Sequence, residues 1–262
     1  MVKGIERFRQ HFRGYDDAFV IIGGAACDAW LSSRGTSFRP TRDLDVVLVV
    51  EALNDAFIAR WWSFVKAGRY RKRERADGKR IYYRFQHPEE TDYPAMLELF
   101  SRPPRSVSLE AGAQVTPIPA GEDVSSLSAI ILDDDYYRLI MGRREMQDGL
   151  PMVGPACLIP LKMRAWLDLS RRSAEGERVD AGDIRKHRND VFRLAMYLPG
   201  TPSDDPVAGV VREDMQRFLT AFAVGSPEWT GVLASLSAAT GTDAPAPADL
   251  IATLVTFFGL TP

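Results

Sequence analysis

The sequence predicts an α/β protein of the α+β kind, with a small mixed sheet flanked by helices and a helical C-terminal domain. Three observations predict it. Short apolar, β-branched runs in the first 150 residues meet glycine or polar turns and lead into helical patterns; the remainder shows helical periodicity alone; and 262 residues with 45% hydrophobic and 26% charged side chains can bury a sizeable core. The expected division is residues 1–150 for the sheet-bearing domain and 151–262 for the helical one.

Taken in order, Ala18 to Ile22 (AFVII) reads as a strand that meets Gly23-Gly24, after which AACDAWLSS reads as a helix. The polar loop RGTSFRPTR leads into LDVVLVV at Leu44 to Val50, whose continuous apolar character suits a central strand covered on both faces. Asp55 to Lys66 reads as a helix. RYRKRERA and KRIYYRF flank Asp77-Gly78, a dipeptide that accommodates positive φ, and so predict a β-hairpin. Met96 to Phe100 is a further strand, prolines 103, 104, 117 and 119 break any helix between Arg102 and Gly121, and IILDDDYYRLIM begins the last segment of the first domain. Leu158 to Leu169, Ile184 to Leu198, Glu213 to Ala223 and Leu250 to Phe258 then read as helices separated by polar or Pro-rich linkers.

Composition excludes several classes. Ordinary charge and apolar content argue against disorder, collagen and coiled coil, and 33 basic against 35 acidic side chains rule out a polycation. Cys27 and Cys157, 130 positions apart, make neither a disulfide framework nor a zinc site, which favours a reducing compartment. The N-terminal MVKGIERFRQHF is charged throughout and lacks an apolar signal core, and no run approaches the ~18 apolar residues of a membrane span, so a cytoplasmic protein without membrane contact is expected. The charge is nevertheless uneven: between Lys66 and Phe85, nine basic side chains stand against Glu74 and Asp77, a local net of +7 that favours a polyanion.

Asp43 and Asp45 stand two apart at the start of a strand, so the pleat points both carboxylates to one side, where they can converge on one cation. A solvated strand edge is the alternative. Glu98 is the one charged residue in an apolar strand and needs a cation, a hydrogen-bonding partner or a proton; an ion pair with an arginine serves as well as a metal. Gly23-Gly24, between strand and helix, lets backbone N–H groups approach phosphates at a helix N-terminus, although a structural tight turn has the same signature. It matches neither G-x-G-x-x-G nor the Walker loop, which disfavours a dinucleotide-binding dehydrogenase and a P-loop NTPase. Lys162 lies within an apolar helical stripe, either snorkelling out of the core or reaching an anion in a cleft; Asp183, Lys186, His187 and Asp190 share one helical face, which a salt-bridged surface with a packed histidine also explains. Three histidines without G-x-S-x-G or metal-ligand spacing give no support to a hydrolase triad or a zinc centre.

The order strand, Gly23-Gly24, helix, then RPTRDLDVVL at Arg39 to Leu48, then Glu98 in a later strand resembles the nucleotidyltransferase superfamily of the DNA polymerase β type. More narrowly, GGAACDAWL with FRPTRDLDVVL, followed by LIPLKMRAWLDL and GDIRKHRNDVFRL, resembles the AbiEii/AbiGii group, nucleotidyltransferase-like toxins of type IV toxin-antitoxin systems; the resemblance covers about residues 18 to 200. It implies a nucleotidyltransferase fold over residues 1–150, with the helical domain contributing to the cleft. It also implies Mg²⁺ or Mn²⁺ held by Asp43, Asp45 and Glu98, which are the implied catalytic residues too. The NTP would be met by Gly23, Gly24, Thr41, Lys162, Lys186 and Asp183, and a nucleoside monophosphate would pass to a hydroxyl acceptor as pyrophosphate leaves. The superfamily usually sets Ser or Thr beside the glycines where this chain has Ala25; Thr41 or a backbone N–H would then substitute.

The acceptor implied is RNA such as tRNA, or protein, and an antitoxin protein is the implied partner. The basic hairpin at 66–85 would hold RNA phosphates, with Tyr70, Tyr82, Tyr83 and Phe85 offering surface for base stacking; a hairpin packed on the sheet with solvated arginines is the competing expectation. Two other functions stand beside this one: a small-molecule nucleotidyltransferase of the antibiotic-modifying kind, against which the basic hairpin counts, and a catalytically silent nucleotide-binding module, which Ala25 favours.

Overall fold

The computed structural model describes residues 2–74, 80–104, 115–118 and 127–261. The chain divides into two compact units, Met1–Gly154 and Pro155–Pro262. The first is a mixed α/β unit. Helix α1 (Ile5–His11) precedes β1 (Phe19–Ile22), α2 (Gly23–Ser32), β2 (Asp43–Leu48) and α3 (Asp55–Ala67), followed by β3 (Arg71–Glu74), β4 (Arg80–Gln86) and β5 (Met96–Ser101). The unit continues with β6 (Val115–Ile118), β7 (Leu127–Ile131), α4 (Asp134–Gly142), β8 (Arg144–Gln147) and β9 (Leu150–Val153). All strands join one sheet in the order β3-β4-β5-β2-β1-β9-β8, with β7 paired to β5 and β6 to β7. It is mixed, as expected, but larger than expected: β2–β5, β1–β9 and β5–β7 run parallel and the other pairs antiparallel.

Local chemistry explains the elements that matter for the centre of the sheet. Asn54 caps α3 by accepting from the Phe57 N–H at 2.9 Å, satisfying an amide that the first turn leaves without a partner. The aromatic side chains that α1 and α3 present then pack on one face of the sheet. Phe8 meets Phe12 and Phe19 at centroid distances of 4.4 and 5.4 Å, and Phe12 meets Trp61 at 5.4 Å. Each such pair adds about 0.5–1.5 kcal/mol beyond its buried area. Period-two alternation assigns Leu44, Val46 and Leu48 of β2 to this aromatic face, all fully buried, and leaves Asp43, Asp45 and Val47 on the other.

One expectation about the first unit is corrected, the availability of the basic hairpin's aromatics. The first compact unit runs through Gly154, since β9 lies parallel to β1, with Ile21 opposite Met152, and so belongs to the sheet. The hairpin that leads into β9 turns on Asp148-Gly149, both at positive φ (51° and 73°), the conformation that matches strand twist in a two-residue turn. In the basic hairpin, β3 and β4 do pair antiparallel, while Asp77-Gly78 lies outside the described residues. Its aromatics are not all available for stacking. Phe85 is fully buried against Trp61 and Trp62, and Tyr70 is buried with its hydroxyl donating to the Pro94 carbonyl at 2.6 Å, because both project to the aromatic face. Tyr83 is half-buried and the Tyr82 side chain lies outside those described.

The second unit is helical: α5 (Pro155–Ala174), α6 (Ala181–Ala195), α7 (Gly209–Ala221), α8 (Trp229–Thr240) and α9 (Pro247–Phe258). Trp166, Phe192, Phe218, Phe222 and Trp229 interlock at its centre, with Phe218–Phe222 stacked at 4.6 Å and Phe192–Trp229 at 4.6 Å. Polar side chains join the helices as well. Lys162 of α5 pairs with Asp190 of α6 at 2.9 Å, and Arg164 pairs with Asp214 of α7 at 2.8 Å. Among the described residues no helix is long and apolar enough to cross a membrane.

Candidate functional site

The sheet face opposite the aromatic cluster carries the carboxylates. In β1 and β2 Ile22 stands opposite Asp45; in the parallel pair β2–β5 Asp45 stands opposite Glu98; and in β4–β5 Glu98 stands opposite Arg84. Residues in register share a face, so Ile22, Asp45, Glu98 and Arg84 form one row across four strands. Asp43, two positions before Asp45, lies on the same face in the next row, opposite Met96. Two strands distant in sequence thus bring Asp43, Asp45 and Glu98 into neighbouring positions at strand centres spaced about 4.8 Å apart.

The glycine pair closes on this row from the chain end of β1. Gly23 adopts φ +68°, and a Cβ built there would lie 1.9 Å from Oδ2 of Asp45. A side chain there is strained by the backbone conformation and would have to displace the carboxylate that occupies its place. At Gly24 a Cβ would come within 2.5 Å of the Thr41 hydroxyl oxygen. Gly23, Gly24, Thr41 and Asp45 are accordingly one compact group at the start of α2, where first-turn backbone N–H groups and the helix dipole favour negative charge. Ala25, the position where a hydroxyl was expected, is 1% exposed and packed in the core.

Glu98 has a committed partner. Its side chain, 12% exposed, forms an ion pair with the Arg84 guanidinium, which reaches it with Nε and Nη2. The sequence left an arginine pair and a metal equally open; this geometry supplies the arginine. Among the described residues no group of three His, Cys, Asp or Glu side chains is gathered as a ready-made metal cage. Asp43 and Asp45 still fit a divalent cation by chemistry: two hard oxygen donors, both half-buried, on one face beside an amide-rich turn. Arg84 is the site residue that sequence reasoning missed. It was counted in the basic patch, although its place on the polar face of an alternating RIYYRF strand was a signal available in the sequence.

The remaining residues expected to meet nucleotide lie in the helical unit. The Lys162 ammonium is 5% exposed and bound to Asp190, whose side chain is 4% exposed. Lys186 pairs with Asp183 one helical turn away at 2.8 Å, near solvent. Each of the three is thus engaged inside its own unit.

No protein-family model matches the chain, and no curated protein matches it. Among solved structures, the fold is similar to one described as the crystal structure of an antigenic nucleotidyltransferase-like protein from Paracoccidioides brasiliensis, at 15% identity and a TM-score of 0.43, over 92% of this chain and 99% of that one. At that identity and score the likeness assigns no function to this chain, and the carboxylate row with its glycine turn is what speaks to chemistry.

Proposed function

We propose that the protein is a divalent-cation-dependent nucleotidyltransferase that moves a nucleoside monophosphate from an NTP to a hydroxyl acceptor. The observation that carries this reading is the juxtaposition of Asp43 and Asp45 on one sheet face with the Gly23-Gly24 turn seated directly on the Asp45 carboxylate. Asp43 and Asp45 would hold Mg²⁺ or Mn²⁺, which when bound neutralises phosphate charge and polarises the phosphoryl group for attack. The glycines give up their Cβ space to Asp45 and Thr41, which gather at the N-terminus of α2, where backbone N–H groups would favour a triphosphate; the Thr41 hydroxyl, packed on Gly24, is the candidate for the contact that Ala25 cannot make. Transition-state charge spreads over phosphoryl oxygens, so positioning and electrostatics are the main contributions asked of these residues.

For the acceptor we favour RNA over a small cationic molecule, since the 66–85 segment carries nine basic side chains against two acidic ones. Phosphate contact rather than base stacking is the mode that fits, given the burial of Tyr70 and Phe85. A role as the toxin of a type IV pair, with an antitoxin partner, is the finer form of the same proposal and rests on the AbiEii/AbiGii resemblance. The second reading, a nucleotide-binding module without turnover, is favoured by one specific observation, the engagement of Glu98 by Arg84.

Transfer of label from each α-phosphate-labelled NTP, with Mg²⁺, to total RNA and to total protein tests both. Label that disappears in Asp43→Asn/Asp45→Asn supports the transferase and identifies the acceptor class. A folded double variant that transfers at the wild-type rate sinks the assignment, and nucleotide binding without any transfer selects the silent module.

A further inference from the structure

Arg84 is more than part of a basic patch. It stands on the strand next to β5, in register with Glu98, which is itself in register with Asp45. Its guanidinium is largely withdrawn from water, with the side chain 28% exposed, and is held by Glu98 through two of its nitrogens. Arg69, at the base of the same hairpin, faces away to Glu89 and Glu90, at 3.4 and 3.6 Å, with its side chain 66% exposed. Among the described side chains of this segment, Arg84 is therefore the basic one that the register directs into the carboxylate row.

We propose that Arg84 is a positioning residue that acts as a resident cation for the row: it occupies Glu98 and restricts divalent-cation binding to Asp43 and Asp45. The proposal rests on the functional reading above. A carboxylate beside a cation site contributes to binding through its charge and its lone pairs; the Arg84 guanidinium offsets that charge and engages Oε1 with both Nε and Nη2. With Arg84 in place the Glu98–Arg84 pair is close to neutral as seen from Asp45. Removing the guanidinium turns the neighbour of Asp45 into an uncompensated anion. At the spacing of adjacent strands, and allowing for solvent screening, that change raises divalent-cation affinity by about tenfold.

The test is Mn²⁺ binding followed by electron paramagnetic resonance of the free ion, a readout that needs neither nucleotide nor turnover. Variants are first checked for folding by circular dichroism, with Arg84→Met replacing Arg84→Gln if the latter does not fold. Expected are an affinity about tenfold higher in Arg84→Gln, a value near wild type in Arg84→Lys, which keeps the charge, and a return toward wild type in Arg84→Gln/Glu98→Gln. Binding that disappears in Asp43→Asn/Asp45→Asn yet is unchanged by Arg84→Gln overturns the role of Arg84 and leaves the functional reading intact. Binding indifferent to Asp43→Asn/Asp45→Asn overturns the cation site itself, as does an absence of binding in wild type and in Arg84→Gln alike.

Discussion

Replacing Gly23 with alanine tests the architecture of the carboxylate row. Two effects follow from the geometry. The first is backbone strain, because φ at Gly23 is +68°, a region that costs a residue with a Cβ about 1–2 kcal/mol. The second is displacement: the new Cβ would lie 1.9 Å from Oδ2 of Asp45, where real contacts stay beyond 3.0 Å, so the carboxylate must retreat by about 1 Å. Gly14 separates the two effects, since it has φ +85° and nothing within 4 Å of a built Cβ. Gly14→Ala should therefore lose a similar amount of stability in urea unfolding and leave activity alone. Gly23→Ala should show the same order of destabilisation together with a fall of about a hundredfold in the initial rate of nucleotide transfer, the cost typical of a ~1 Å misplacement in a site that works by positioning. Mn²⁺ affinity, measured alongside, should drop in Gly23→Ala only. If Gly23→Ala transfers nucleotide and binds Mn²⁺ as Gly14→Ala does, Asp45 is not the group that this turn positions for chemistry.

Two further perturbations address other parts of the molecule. Lys162→Met leaves the buried Asp190 carboxylate without its 2.9 Å cation and should destabilise the protein by about 3–5 kcal/mol, whereas Lys162→Met/Asp190→Leu should recover most of that in urea unfolding. Loss of NTP binding with less than about 1 kcal/mol of destabilisation would instead make Lys162 a phosphate ligand. His11, lodged between Phe12 and Phe64 at 5.0 and 5.1 Å, is pushed below the usual histidine value of 6.5 by burial, partly offset by its hydrogen bond to the Arg60 carbonyl. The unfolded chain then binds more protons on His11 than the folded one, so its contribution is fully present above pH 6.5 and is lost as pH falls through the lower folded value. His11→Gln should flatten that part of the stability profile, measured as urea midpoints between pH 5 and 7.5; an unchanged slope would show that His11 is not responsible for it.

Much of the local structure was legible in the chain because period and turn chemistry are local properties. Phe19 to Ile22 with its glycine pair, the β-branched centre of β2, the Asn54-capped α3 and the apolar faces of α5 and α6 each carry their own signal. Asp43 and Asp45 were legible for the same reason, since the pleat alone places residues i and i+2 on one side. Several elements were not. Helix α8, rich in Gly, Ser and Thr, has weak intrinsic preference and owes its form to Trp229 docking among Phe192 and Phe222. The Asp148-Gly149 hairpin carried a recognisable turn signal, but its REMQ strand has no apolar alternation to mark it.

Partnership across strands was beyond any local signal. The sequence determines that Glu98 sits in an otherwise apolar strand and must be compensated; only the register of β2, β5 and β4 decides that Asp45 is on one side of it and Arg84 on the other. Likewise the stripe that embeds Lys162 does not say where its charge goes, and it is the packing of α5 on α6 that directs the ammonium to Asp190. The physical reason is common to both: a buried charge fixes that a counter-charge is needed, while which residue supplies it depends on non-local pairing that places residues more than ten positions apart within hydrogen-bond reach.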